Sequence, residues 1–150
     1  DAMRAKLKRM QAMMQAMKAA KDPDQAHYDA YVAGSERYES GDFRGAADAF
    51  SEVLRLRPGD ADTWSRRGQS KSKLGDAEGA MADYSEALRR DEGRADLWFM
   101  RASMRSEMGD DDGAMVDFEE SLRRDGQQPD VYCCRGTQRL ERGDVRGAID

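Results

Sequence analysis

Trp64-Ser65-Arg66-Arg67-Gly68 opens a segment that runs through Leu74-Gly75-Asp76 and Ala80-Met81-Ala82-Asp83-Tyr84 to Ala87-Leu88. Its marks recur along the chain at one interval. Gly-Asp stands at Gly41-Asp42, Gly75-Asp76, Gly109-Asp110 and Gly143-Asp144, each 34 residues from the last, and Gly-Ala follows at Gly45-Ala46, Gly79-Ala80, Gly113-Ala114 and Gly147-Ala148. A third track holds Gly34, Gly68, Ala102 and Gly136. Aromatics keep the same step at Phe50, Tyr84 and Phe118, and again at Trp64, Trp98 and Tyr132. Five tracks in one register define a stacked repeat, and that reading governs every local one.

Within a unit the residues predict two helices. Trp64, Gly68 and Lys71 to Leu74 lie on a first helix, which Gly75 ends by taking a left-handed backbone, and Asp76 caps the next helix with its carboxylate. That second helix sets Ala80, Tyr84, Ala87 and Leu88 on one apolar stripe. Small residues at Gly68 and Ala80 allow a close helix crossing, with Trp64 and Tyr84 filling the space beside it. The glycines at 45, 79, 113 and 147 fall early in the second helices. Glycine there costs about 0.5–1 kcal/mol relative to alanine. The pattern supplies no reason for this track except a close approach by a partner.

Leu, Ile, Val and Phe make up only 18 of the 150 residues, while 37% are charged and the net charge is −5. Without the repeat, so little apolar surface would not offset conformational entropy in a single core. Stacking resolves this, because each hairpin supplies the surface its neighbour lacks. The lone His27 and the adjacent Cys133 and Cys134 build neither a zinc site nor a disulfide scaffold, and no cofactor is expected. No apolar run approaches a membrane span and no stretch carries a secretory cleavage pattern, which points to an intracellular protein.

These residues resemble the tetratricopeptide repeat family, through W-S-R-R-G at 64–68, L-G-D at 74–76, A-M-A-D-Y at 80–84 and A-L at 87–88. The resemblance implies an all-α, right-handed superhelical solenoid of helical hairpins. Units fall at 27–60, 61–94 and 95–128 with a partial repeat at 129–150, so the array covers 27–150 after a linker at 22–26. Only the first unit ends in the family's proline, Pro58, where the others have Glu92 and Gly126. Asp111 replaces the hydrophobic residue represented by Phe43 and Val145, which predicts a looser third turn. Solenoids finish with a polar capping helix, so the break at Asp150 predicts further chain or a partner covering that end.

The family also implies a concave face, lined by the first helices, that commonly receives a peptide or helix from another protein. Carried onto this chain, that face comprises Tyr28, Tyr31, Ser35, Tyr38, Arg66, Gln69, Phe99, Met100, Ser103, Cys133 and Thr137. The competing role for several of them is to cover the helix behind. Repeats that clamp the tails of heat-shock chaperones share a Lys, Asn, Asn, Lys, Arg set. Here those places hold Tyr31, Ser35, Arg66, Asp96 and Met100, and none matches, so a heat-shock chaperone tail is not the expected ligand.

Arg67, Arg101 and Arg135 each fall three residues after a unit's aromatic, and Asp83 and Asp117 follow the first two by 16. Unit one has Ala33 and Ala49 at both places. That joint loss predicts salt bridges within a hairpin, Arg67 to Asp83 and Arg101 to Asp117; the alternative is independent solvated charges.

Residues 1–21 differ from the rest. Met3, Leu7, Met10, Met14 and Met17 recur at intervals of 4, 3, 4 and 3, a heptad-like stripe that Pro23 closes. Six basic residues against Asp1 alone give the segment a charge of +5 and leave the remainder at −10. Such a basic, Met-rich amphipathic helix has three uses: a cap on the first repeat, a helix docked in another protein's groove, or an interfacial contact with membrane or nucleic acid. The narrow stripe, without Trp or Phe, favours a helix partner over a lipid surface.

No catalytic constellation emerges. Asp110, Asp111 and Asp112 open a helix, where carboxylates cap amides and suit the dipole, and they lack the alternating ligands of a calcium loop. An acidic repeat body opposes nucleic acid. The sequence reads as a non-enzymatic protein-interaction scaffold, an adaptor or assembly subunit of a larger complex. The alternatives are a structural subunit embedded through its N-terminal helix, and the targeting arm of an enzyme whose catalytic part lies outside this chain.

Overall fold

At Gly41-Asp42, Gly75-Asp76 and Gly109-Asp110 the chain reverses within a single turn, and one aspartate serves both helices that meet there. Gly41, Gly75 and Gly109 take φ values of 86°, 81° and 82°, a region open to glycine at little cost. The N–H of Asp42 then donates to the Arg37 carbonyl at 2.8 Å and that of Gly41 to Tyr38 at 3.1 Å, closing the first helix. The Asp42 carboxylate turns forward and accepts from the Gly45 N–H at 2.9 Å, opening the second. Asp76 and Asp110 do the same with Gly79 and Gly113, at 2.9 and 3.0 Å.

The structure, a computed structural model, describes residues 2–19 and 22–125, which form seven α-helices and no strand. They are α1 (Ala2–Ala19), α2 (Pro23–Glu39), α3 (Phe43–Leu56), α4 (Ala61–Lys73), α5 (Ala77–Arg90), α6 (Ala95–Glu107) and α7 (Asp111–Arg124). From α2 onward each helix packs on the next, so three hairpins stack in order as a solenoid. The partial repeat at 129–150, with Cys133, Arg135 and Thr137, lies outside the described residues.

The core is thin, with Ala46, Ala80, Ala87, Ala102 and Ala114 fully buried beside a few larger side chains, which explains how a lean composition folds. Ala102, Ala114 and Phe118 close the third hairpin. Ala80 and Tyr84 of α5 pack with Met104 of α6, and Ala87 and Leu88 pack with Leu97, so the apolar surface is shared between hairpins. A Cβ on Gly68 would stand 2.9 Å from the Tyr84 ring and one on Gly34 2.8 Å from the Phe50 ring, so these glycines set the helix separation.

Three expectations need correction. The segment 22–26 is not a linker: α2 begins at Pro23, with Asp22 as its cap accepting from the Asp24 N–H at 3.1 Å. Proline suits the first helical position as well as it ends a preceding helix. The third turn is not looser, because Asp110 and Gly109 donate to Arg105 and Ser106 at 2.8 and 3.0 Å, matching the other turns. Backbone bonds hold this turn, and Asp111 sits in the first turn of α7, where a carboxylate suits the dipole.

The third correction concerns the glycines at 45, 79 and 113. A Cβ at each would lie 2.1 Å from the carboxylate oxygen of the capping aspartate three residues earlier. The close approach is made by the chain's own cap. The change from Pro58 to Glu92 between units leaves one shared contact intact, because that contact uses the backbone carbonyl. Trp64 Nε1 donates to the Pro58 carbonyl and Trp98 Nε1 to that of Glu92, both at 2.8 Å.

Candidate functional site

Helices α2, α4 and α6 carry the residues assigned to the concave face, and a polar ladder links them. The Tyr31 hydroxyl of α2 donates to Asp62 Oδ2 of α4 at 2.7 Å. One turn further along α4, Arg66 donates through Nε to the same oxygen at 3.3 Å, and its guanidinium lies 5.5 Å from the Tyr31 ring centre. Arg94, at the start of α6, places Nη1 3.6 Å from Asp62 Oδ1 and grips Asp96 through two contacts of 3.1 and 2.7 Å. Deeper on the same seam, Ser65 and Gln69 of α4 donate to the Met100 sulfur of α6 at 3.3 and 3.5 Å.

Asp62 is the hub of this ladder. Burial pushes its carboxyl upward, but the Tyr31 hydroxyl and the charges of Arg66 and Arg94 outweigh that and hold it below its ordinary value of 3.8. Burial, reinforced by the Asp62 carboxylate, raises the Tyr31 phenol. Asp62 and Arg94 were not assigned to the site from sequence. The signal for Asp62 was its place one turn before Arg66; the signal for Arg94 is a broken rule. The units place an N-cap at Asp60 and Arg94, and Asp60 binds the Asp62 N–H at 3.1 Å and the Thr63 hydroxyl at 2.5 Å. Arg94 makes no side-chain cap bond to α6 and turns to Asp62 and Asp96 instead.

The other assigned residues divide. Tyr28 is exposed. Ser35 is half-buried and donates to its own helix at the Tyr31 carbonyl, 3.1 Å away. Tyr38 packs edge-on against Phe43 at the first turn, with ring centres 5.3 Å apart. Phe99 packs on Phe118 at 5.8 Å and belongs to the third hairpin's core. Ser103 is half-buried on α6. Cys133 and Thr137 lie outside the described residues.

Behind this face, charged pairs tie the two helices of a hairpin. Arg67 of α4 and Asp83 of α5 meet through two contacts of 2.8 Å, and Arg101 and Asp117 through contacts of 2.7 and 2.8 Å. Each aspartate has a second cation that sequence reading did not assign: Lys71 lies 3.1 Å from Asp83 and Arg105 3.4 Å from Asp117. The arginines also lie over indole rings, Arg67 4.8 Å from Trp64 and Arg101 5.0 Å from Trp98.

Residues 2–17 of α1 are all exposed, so its Met stripe is not laid against the first hairpin. Among the described residues no group of His, Cys, Asp and Glu is arranged to hold a metal ion, and no helix is long and apolar enough to cross a membrane.

A stack of helical hairpins turned by Gly-Asp pairs, with one face laced by side chains from successive first helices, defines an α-helical repeat protein of the solenoid class. The tetratricopeptide repeat family model matches residues 31–70 and 65–129, and the chain belongs to that family. No curated protein sequence matches it. Among solved structures, the fold is similar to that of MamA, with a TM-score of 0.80 and 17% identity over 93% of this chain and 80% of that one. It is also similar to the Yersinia enterocolitica chaperone SycD in complex with a peptide of the translocator YopD, with a TM-score of 0.72 and 17% identity over 77% and 93%. The second repeat domain of human RPAP3, in complex with an HSP70 peptide, has a TM-score of 0.74 and 17% identity over 79% and 98%.

Proposed function

We propose that this chain is a non-catalytic interaction scaffold, an adaptor or assembly subunit, that holds a peptide or helix of another protein along Tyr31, Asp62, Arg66, Arg94, Asp96 and Met100. Arg94 carries the reading. Its position is a cap site, and an arginine there forgoes a cap bond that contributes about 1 kcal/mol. The side chain serves the inner face instead, and local rules are typically broken where function requires it. The ladder fixes its own members before any ligand arrives, which lowers the ordering cost of binding. SycD and the RPAP3 domain, of the same fold, are each described with a bound peptide. Exclusion of a heat-shock chaperone tail rests on Tyr31, Ser35, Arg66, Asp96 and Met100 alone, and the RPAP3 complex lends that exclusion no support.

A random peptide library selected on the full chain tests the proposal, with the HSP70 tail peptide run alongside. Enriched peptides should lose about tenfold or more in affinity on Arg66→Ala and Arg94→Ala, a loss of about 1.4 kcal/mol, in variants that melt as the parent does. Peptides that bind those variants as well as the parent would refute it.

A further inference from the structure

Helix α1 presents an apolar seam that the solenoid does not use. Met3, Met14 and Met17 are 81%, 66% and 72% exposed, and Leu7 and Met10 lie between them on the same face. In heptad terms Met3, Met10 and Met17 occupy d positions and Leu7 and Met14 occupy a positions. Arg4 and Lys18 then fall at e and Lys6 at g, the places that flank such a seam and choose its partner. Ala2–Ala19 carries five basic residues and no acidic one, so nothing on α1 balances that flank.

This charge pattern identifies the occupant. A second copy of α1 would add five more basic residues and no acidic one beside the first, which opposes self-pairing. An anionic lipid surface would satisfy the charge, but the stripe carries no Trp or Phe to enter the interface. We propose that α1 docks against an apolar seam flanked by Asp and Glu on another protein, as a two-helix pairing with its basic residues facing the acidic rim. The proposal rests on the reading of α1 as a docking helix and adds the charge of what it docks against. Flexible thioethers let the same stripe fit seams that differ in detail.

Two synthetic probes test this on the full chain: a three-heptad peptide with Leu at a and d and Glu at e and g, and its twin with Lys at e and g. Circular dichroism and fluorescence anisotropy are read at low and high salt. The Glu peptide should bind at least about tenfold tighter than the Lys peptide, and the preference should shrink at high salt as flanking charges are screened. The variant Leu7→Glu/Met10→Glu/Met14→Glu should abolish binding and leave the melting of the solenoid unchanged. Equal, Met-dependent binding of both peptides would overturn the charge inference and leave α1 a docking helix. Binding of neither peptide would overturn both. So would a melting point lowered by the triple variant, which would make α1 a cap, or capture by phosphatidylserine vesicles with no binding of the Glu peptide.

Discussion

Replacing Arg101 by Met and Asp117 by Asn, singly and together, measures the pair that ties α6 to α7. The Asp117 side chain is 1% exposed and that of Arg101 16%, with parallel contacts of 2.7 and 2.8 Å between them. Removing one partner of a buried pair costs about 3–5 kcal/mol when the other charge is stranded, and the two partners here differ in how stranded they become. Without the Asp117 charge, Arg101 keeps the Trp98 ring beneath it, and its long side chain can reach water. Without Arg101, a carboxylate that cannot reach water keeps Arg105, 3.4 Å away. Arg101→Met should therefore cost about 3 kcal/mol and Asp117→Asn about 1–2. The double variant should cost no more than about 3 kcal/mol, a coupling of about 1–2. In urea, with a slope of about 2 kcal/mol per M, the Arg101→Met midpoint falls by about 1.5 M. Additive single effects, with coupling under about 0.3 kcal/mol, would refute the pair as a unit, and a larger loss for Asp117→Asn would refute the asymmetry.

The collision between Gly79 and its cap predicts a change of sign. Gly79→Ala should be neutral or destabilising in the parent, yet stabilising by about 0.5–1 kcal/mol in an Asp76→Ala background; equal stabilisation in both, by thermal melts, would sink the explanation. Asp62 is held below its ordinary value of 3.8, so its contribution is complete above that value and is lost as pH falls through the lowered one. The melting gap between the parent and Asp62→Asn should therefore be widest near neutrality and narrow as the pH falls below 3.8; a gap that widens in acid would contradict the network around Asp62. Arg94→Ser restores a capping side chain to α6 and should leave stability level or raise it by up to about 1 kcal/mol while weakening selected peptides. A stability loss with unaltered peptide binding would assign Arg94 to the helix alone.

What the sequence disclosed and what it withheld divide along a physical line. The Gly-Asp grid, the stripe of Ala80, Tyr84, Ala87 and Leu88, and the family all follow from interactions within one unit, which repeat and so announce themselves. The pairing of Arg67 with Asp83 was legible for the same reason, through the alanines that replace both members in unit one. Pro23 was misread because one proline can stop a helix or start one, and only the Asp22 bond to Asp24 separates the two. Tyr31 with Asp62 joins two units, and Asp62 with Arg94 joins α4 to the start of α6, so each contact spans two hairpins. Such contacts depend on how hairpins rotate against one another, and a period carries no record of that rotation. The glycine at 79 needed atomic positions, since a Cβ held 2.1 Å from the Asp76 carboxylate leaves no periodic trace beyond the glycine itself. Repetition thus encodes the scaffold, and a departure from it, Arg94, falls in the proposed site. Arg94 stands where Asp60 would have set a cap, and it faces a surface on which first helices from successive hairpins share charged side chains. An array stabilised by many equivalent contacts can lose one cap without unfolding, because each hairpin is also held by its neighbours. That redundancy leaves single positions free to take up recognition.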